Sequence, residues 1–183
     1  STTRFRSSRW RQAVSFVGSS VYLLPGTLEA NLLCGLGGAL QAMSPDECRQ
    51  RIQEALALAD LDQYVADLKD GLMTVVGSGG LNMSQGQQQR VGIARALVLS
   101  RSLLILDEAT SSLDSVSEAL IQAAMVDLMA GRTTIVIAHR LSTVRKCDQV
   151  FEVSHGRIKA SGSFEDLVKT SDSFREMNRL EST

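Results

Sequence analysis

Residues 103–108 read Leu103-Leu104-Ile105-Leu106-Asp107-Glu108, an unbroken aliphatic run that stops on two adjacent carboxylates. No other stretch restricts the fold as much. Four aliphatics without polar alternation are the pattern of a buried strand in a parallel sheet, with both faces covered. The two acids then stand at the C-terminal edge of that sheet, where open α/β sheets hold their ligands. One acid there can hold a hydrated Mg²⁺, and its neighbour can orient and deprotonate a water. Taken without context, the pair also reads as an ordinary solvated loop start.

The rest of the chain supplies the alternation that an α/β fold needs. Residues 133–138 read as a second, fully buried strand that delivers His139 to the same edge, and residues 14–17 as a third that ends at Gly18-Ser19-Ser20. Residues 27–33 open a helical region that Gly35, Gly37 and Gly38 interrupt. Ser44-Pro45-Asp46-Glu47 is a capping box. It starts a helix with Cys48, Ile52, Ala55, Leu56 and Ala59 in a stripe. A short helix is expected over 63–68, a glycine-rich loop over 71–80, and a helix over 87–99 with Val91, Ala94, Leu97 and Val98 inward. Ser115-Val116-Ser117-Glu118 is a second capping box, starting a helix with Leu120, Ile121, Ala124, Met125 and Leu128 on one face, which Gly131 ends. Residues 150–153 and 157–160 flank His155-Gly156 as a hairpin, and two short helices follow.

A third chemical signal precedes the helix at 87–99. In Asn82-Met83-Ser84-Gln85-Gly86-Gln87-Gln88-Gln89-Arg90, a hydroxyl and a glycine stand where N–H groups and the helix dipole can receive an anion. A plain Ser N-cap explains Ser84 equally well.

Composition narrows the class. A formal net charge of -1 over 183 residues gives no general attraction to nucleic acid. No apolar run approaches the ~20 residues that cross a bilayer. Cys34, Cys48 and Cys147 form no CxxC pair, so neither a zinc site nor a disulfide framework is expected. Residues 1–12 carry Arg4, Arg6, Arg9 and Arg11 without an acid. They read as a surface turn before the first strand rather than as a targeting segment.

The motifs stand in the order of one family. Residues 82–97 resemble the signature motif of ABC ATPases, 103–108 their Walker B, and Ser111-Ser112-Leu113-Asp114 their D-loop. Residues 131–144, GRTTIVIAHRLSTV, are similar to the switch-histidine region of ABC exporters. Residues 17–32 resemble the Q-loop region and 162–180 the exporters' C-terminal helices, so the likeness covers nearly the whole chain. It implies a partial P-loop-NTPase-like parallel sheet with an inserted α-helical subdomain. That subdomain and the signature would fill about 28–99, and the remaining motifs and C-terminal helices 100–183, of one ATPase domain portion. The cofactors implied are ATP and Mg²⁺. Asp107 would lie in the Mg²⁺ shell, Glu108 would act as general base, and His139 would contact the γ-phosphate. Ser84, Gly86 and Gln87 would bind the γ-phosphate held by an opposite subunit, and Asp114 would cross that interface. The partners implied are a second ABC ATPase domain, head to tail, and a transmembrane domain in the same or another chain, at the cytoplasmic face of a membrane. No nucleic acid is implied.

Two departures qualify the likeness. No G-x-x-x-x-G-K followed by Ser or Thr occurs; the lysines are Lys69, Lys146, Lys159 and Lys169, and none follows a glycine. The phosphate-cradling loop is therefore expected upstream of residue 1, and the chain alone is expected to be inactive. Without the strand of that loop, Leu104, Leu106, Val136 and Ile137 are expected to be exposed. The second departure is Ser19, which stands where relatives carry the Q-loop glutamine and is too short to span the same gap to metal and water. These departures keep open the alternative of a non-catalytic regulatory or interaction module. A soluble ABC ATPase acting on DNA or ribosomes is disfavoured by the exporter-like stretches.

Overall fold

A computed structural model describes residues 13–108, 124–126, 128–138 and 141–180. The chain divides into two compact units, residues 1–137 and 138–183.

The first unit opens with β1 (Val14–Val17), β2 (Gly26–Thr27) and α1 (Leu28–Leu33), whose N-cap is the Thr27 hydroxyl. Next come α2 (Gly38–Ala42), α3 (Pro45–Leu58) and α4 (Asp62–Asp67). The expected capping box of α3 is present: Ser44 Oγ accepts from the Glu47 N–H, and the Glu47 carboxylate accepts from the Ser44 N–H. Ile52, Ala55, Leu56 and Ala59 are buried as the stripe required, while Cys48 is half-buried. A 3-10 turn (Gly71–Met73) leads to β3 (Val75–Val76) and α5 (Gln85–Leu99), and then come β4 (Leu103–Asp107) and β5 (Thr133–Ile137). The expected loop at 71–80 thus contains a strand, pairing antiparallel with β2. Two residues carry too little periodicity to be read in sequence, and the pairing is set by a partner about fifty residues away. Helix α5 starts at Gln85, two residues before expectation, because Ser84 is its cap. Leu97, expected inward, is half-buried.

Among the described residues the central sheet is parallel, in the order β1–β4–β5, with Val17 opposite Leu106 and Asp107 opposite Ile137. One face is covered. Val17, Leu104 and Leu106 share a core with Val91, Ile93, Ala94 and Val98 of α5 and with Met125 and Leu128. Residues 124–126 and 128–129 are helical, as expected; the cap at Ser115 and the residues Leu120 and Ile121 lie outside the described residues. Among the described residues the other face carries exposed apolar side chains. Phe16 lies opposite Ile105, which lies opposite Ile135. Phe16, Ile135 and Ile137 are 61%, 50% and 48% exposed. This corrects the expectation of a fully buried β5, and of exposure at Leu104 and Leu106, which are buried. An unbroken aliphatic run cannot distinguish a strand covered on one face from one covered on both; the packed neighbours decide that.

The second unit holds α6 (Leu141–Val144), the hairpin β6 (Val150–Ser154) and β7 (Arg157–Gly162), α7 (Phe164–Thr170) and α8 (Asp172–Leu180). Its turn places His155 at φ +49° and Gly156 at φ +73°, the two left-handed residues of a tight hairpin turn. Val150, Phe164, Leu167 and Phe174 form its core, with the two phenyl rings edge-on at 5.3 Å. Beside them Glu152 accepts hydrogen bonds from the Ser171 and Ser173 hydroxyls and from Lys159 Nζ, tying the hairpin to the start of α8.

Candidate active site

The parallel register brings Ser19, Asp107 and Glu108 to one sheet edge; Ser84, Gly86 and Gln87 stand elsewhere, at the start of α5. β1 ends with Val17 beside Leu106, one residue before β4 does, so Gly18 and Ser19 leave the sheet next to Asp107. Asp107 is the last residue of β4 and is half-buried. Glu108 then leaves the strand with φ +49°, in the left-handed region, while its N–H donates to the Ile137 carbonyl at 3.1 Å. For a non-glycine residue this conformation costs on the order of 1 kcal/mol or more and persists where surrounding structure enforces it. Here the enforcing contact is the bond to β5. It turns Glu108 out of the alternation of the strand, so consecutive carboxylates need not point to opposite faces. Ser19 is exposed at the same edge. His139 and Asp114 lie outside the described residues.

Among the described residues no three His, Cys, Asp or Glu side chains cluster as a metal cage. Mg²⁺ is a hard cation usually held by one or two carboxylates together with waters and phosphate oxygens. Asp107 offers such a carboxylate.

The signature residues form a helix entrance. Ser84 Oγ accepts from the Gln87 N–H at 3.2 Å, and Gln87 Oε1 accepts from the Ser84 N–H at 2.8 Å, a reciprocal capping box. The cap and the anion-site readings of Ser84 therefore share one geometry. Ser84 is exposed, Gln87 half-buried and Gly86 buried. The box stands at the positive end of a helix of 15 residues.

Three side chains that the sequence reading did not single out complete this region. Gln89, only 2% exposed, donates Nε2–H to the Gly18 carbonyl at 2.9 Å. Arg90 bonds the Asp60 carboxylate and carbonyl, tying α5 to the end of α3. Arg95 donates to the backbone carbonyl of Asn31 at 2.9 Å and to its side-chain oxygen at 3.2 Å, and reaches the Tyr22 carbonyl. Burial pulls the Arg95 pKa down from its ordinary value. A signal existed: long polar side chains at 89 and 95 on a helix whose residues 91, 94 and 98 are apolar. It had no address, because the partners lie more than sixty residues away.

Comparison with known proteins adds context. Residues 2–111 match the ABC transporter family. An "ATP-dependent lipid A-core flippase" of Burkholderia orbicola is 42% identical over 171 residues, 93% of this chain and 27% of that protein. A "Multidrug resistance ABC transporter ATP-binding and permease protein" of Lactococcus lactis is 42% identical, over 88% of this chain and 26% of that protein. The solved structure of a bacterial Atm1-family ABC exporter with ATP bound is similar at a TM-score of 0.80 and 35% identity, covering 96% of this chain and 29% of that one. The chain thus spans about a quarter of the length of the curated relatives it matches. Among the described residues no helix is long and apolar enough to cross a membrane.

Proposed function

The chain belongs to the ABC transporter family, and on that premise we propose that it works within a longer exporter, where it binds and hydrolyses ATP to power transport across a membrane. The carrying observation is the Asp107–Glu108 pair at the C-terminal edge of a parallel sheet, with Glu108 turned off the strand by its bond to Ile137. In this reading Asp107 holds the water shell of Mg²⁺, which neutralises phosphate charge when bound. Glu108 accepts a proton from a water as the water oxygen bonds to the γ-phosphorus, and the bond from that phosphorus to the bridging oxygen breaks, releasing ADP. His139 contacts the γ-phosphate. Ser84, Gly86 and Gln87 receive the γ-phosphate of a facing ATPase domain at the start of α5, and Asp114 lies at that junction. These roles are positioning and charge stabilisation, which dominate phosphoryl transfer. The phosphate cradle comes from sequence outside this chain, and so do the membrane-spanning helices.

In this reading, exposed apolar side chains near the β2–β3 ribbon receive such helices. Tyr22 and Leu24 are 70% and 44% exposed, next to the β2–β3 ribbon that carries exposed Val75.

Glu108→Gln in the full-length protein tests the reading. It keeps shape and removes basicity, so turnover falls by at least about a hundredfold while ATP affinity is retained. Near-normal turnover would remove Glu108 from the chemistry. Absence of Mg²⁺-dependent hydrolysis in the unmutated full-length protein would favour the non-catalytic module.

A further inference from the structure

The side chains of α5 that touch the chain after β1 lie on one ridge. Gln89, Gly92 and Arg95 are spaced i, i+3, i+6, the row that a helix presents to a neighbouring segment. Each meets the segment 18–24 at a successive point. Gln89 holds the Gly18 carbonyl. A Cβ at Gly92 would come within 2.4 Å of Val21 Cγ2, so any larger residue there forces Val21 to shift. Arg95 reaches the Tyr22 carbonyl and Asn31. Asn31, 1% exposed, in turn brackets Leu24, accepting from its N–H at 2.8 Å and donating to its carbonyl at 2.9 Å.

Such contacts do more than fill space. A buried carboxamide and a half-buried guanidinium carry a desolvation cost that well-made hydrogen bonds offset. Gln89 directs its donor to a main-chain carbonyl of the irregular segment 18–24, while Arg95 donates most closely to Asn31 of α1, which brackets Leu24, and reaches the Tyr22 carbonyl at 3.4 Å. That segment carries Ser19 next to Asp107. Ser84 stands five residues from Gln89 along the same helix, about 7.5 Å of axial rise. A helix transmits displacement over that distance without bending.

We infer that Gln89, Gly92 and Arg95 are positioning residues that fasten the Ser19 loop to α5, so that the loop moves with the Ser84 end of the helix. Occupation of the Ser84 end is then felt at the sheet edge as a change in where Ser19 and its backbone stand. This rests on the hydrolytic reading above, and it concerns residues which that reading leaves without a role.

The test uses the full-length protein with Gln89→Met, which keeps volume and removes the donor, and with Arg95→Met. Peptides covering 18–24 are expected to exchange amide hydrogen roughly fivefold faster or more, with peptides of α3 unchanged. Turnover is expected to fall by about threefold to tenfold with the KM for ATP within about twofold, because positioning at the edge acts on the chemical step. The effect of Ser19→Gln on turnover should also differ by at least roughly threefold between the otherwise native protein and the Gln89→Met variant, although the side chains at 19 and 89 need not touch. Should Gln89→Met not fold, Gln89→Asn, one methylene too short to reach Gly18, reads the same three quantities. Unchanged exchange at 18–24, faster exchange with unchanged turnover, or additive effects of positions 19 and 89 would each overturn the inference. A Glu108→Gln control that hydrolyses ATP normally overturns the hydrolytic reading instead, and leaves the exchange measurement to judge the fastening by itself.

Discussion

Position 19 holds a short hydroxyl at a sheet edge where Asp107 is half-buried and Ser19 itself is exposed. A serine oxygen reaches neighbouring groups across such a gap only through a bridging water. Replacing it with the longer carboxamide, Ser19→Gln in the full-length protein, is expected to raise Mg²⁺-dependent turnover or the transport achieved per ATP. If steady-state hydrolysis and transport both stay level, the side chain at 19 has no part in the chemistry. Gly92 poses the opposite problem, since it has no room. A methyl there meets Val21 Cγ2 at 2.4 Å, and a β-branched neighbour has few rotamers in which to retreat. Gly92→Ala should therefore destabilise the fold by about 1–3 kcal/mol despite the better helix propensity of alanine. Chemical denaturation measures it; a neutral or stabilising result would mean that Val21 moves aside freely.

At the scale of elements, local signals and distant contacts divide the work. The capping boxes of α3 and α5 are each complete within four residues, and both are formed in the structure. Among the described residues the sequence pointed to a box only at Ser44 and to a plain cap at Ser84; the Gln87 return bond, and a further box in which Ser163 and Asp166 cap α7, are seen in the structure. The junction of β6, β7 and α8 depends on Glu152, whose pKa is lowered from 4.5 to about 2, most by the Ser171 hydroxyl, then by Ser173 and Lys159. A depressed carboxylate pKa stabilises the folded form above the unfolded value. That contribution is complete above about 4.5 and is lost as pH falls through about 2. Acid should therefore loosen the first turn of α8, where the Phe174 N–H donates to Ser171 Oγ. Hydrogen exchange of α8 across this range is expected to rise in the native protein and to change less in Glu152→Gln. Equal pH responses of the two would show that the hydroxyl bonds, not the charge, hold the junction.

For the whole molecule, the open sheet face is decisive. Phe16, Ile135 and Ile137 present apolar surface on the uncovered side of a three-stranded arrangement among the described residues. Strands of parallel sheets are ordinarily covered on both sides, and exposed apolar strands associate. The 183-residue chain expressed alone is expected to self-associate and to bind an apolar fluorescent dye. Changing Phe16, Ile135 and Ile137 together to threonine should reduce both. A dye-silent monomer would mean that the face is covered by other parts of this same chain.

What the sequence determined by itself are features whose causes are local. The aliphatic run into Asp107-Glu108, the strand at 14–17, the caps at Ser44 and Ser84, the stripe of α3 and the turn at His155-Gly156 need only neighbours within a few residues. The motif order by itself also pointed to the family that the chain belongs to. Tertiary structure decided which face of the sheet is covered, the pairing of β2 with β3, the left-handed turn of Glu108 against Ile137, and the fastening of residues 18–24 to Gln89, Gly92 and Arg95. Each of these joins groups far apart in the chain. Periodicity reports the environment a residue prefers, and only packing selects the distant group that provides it.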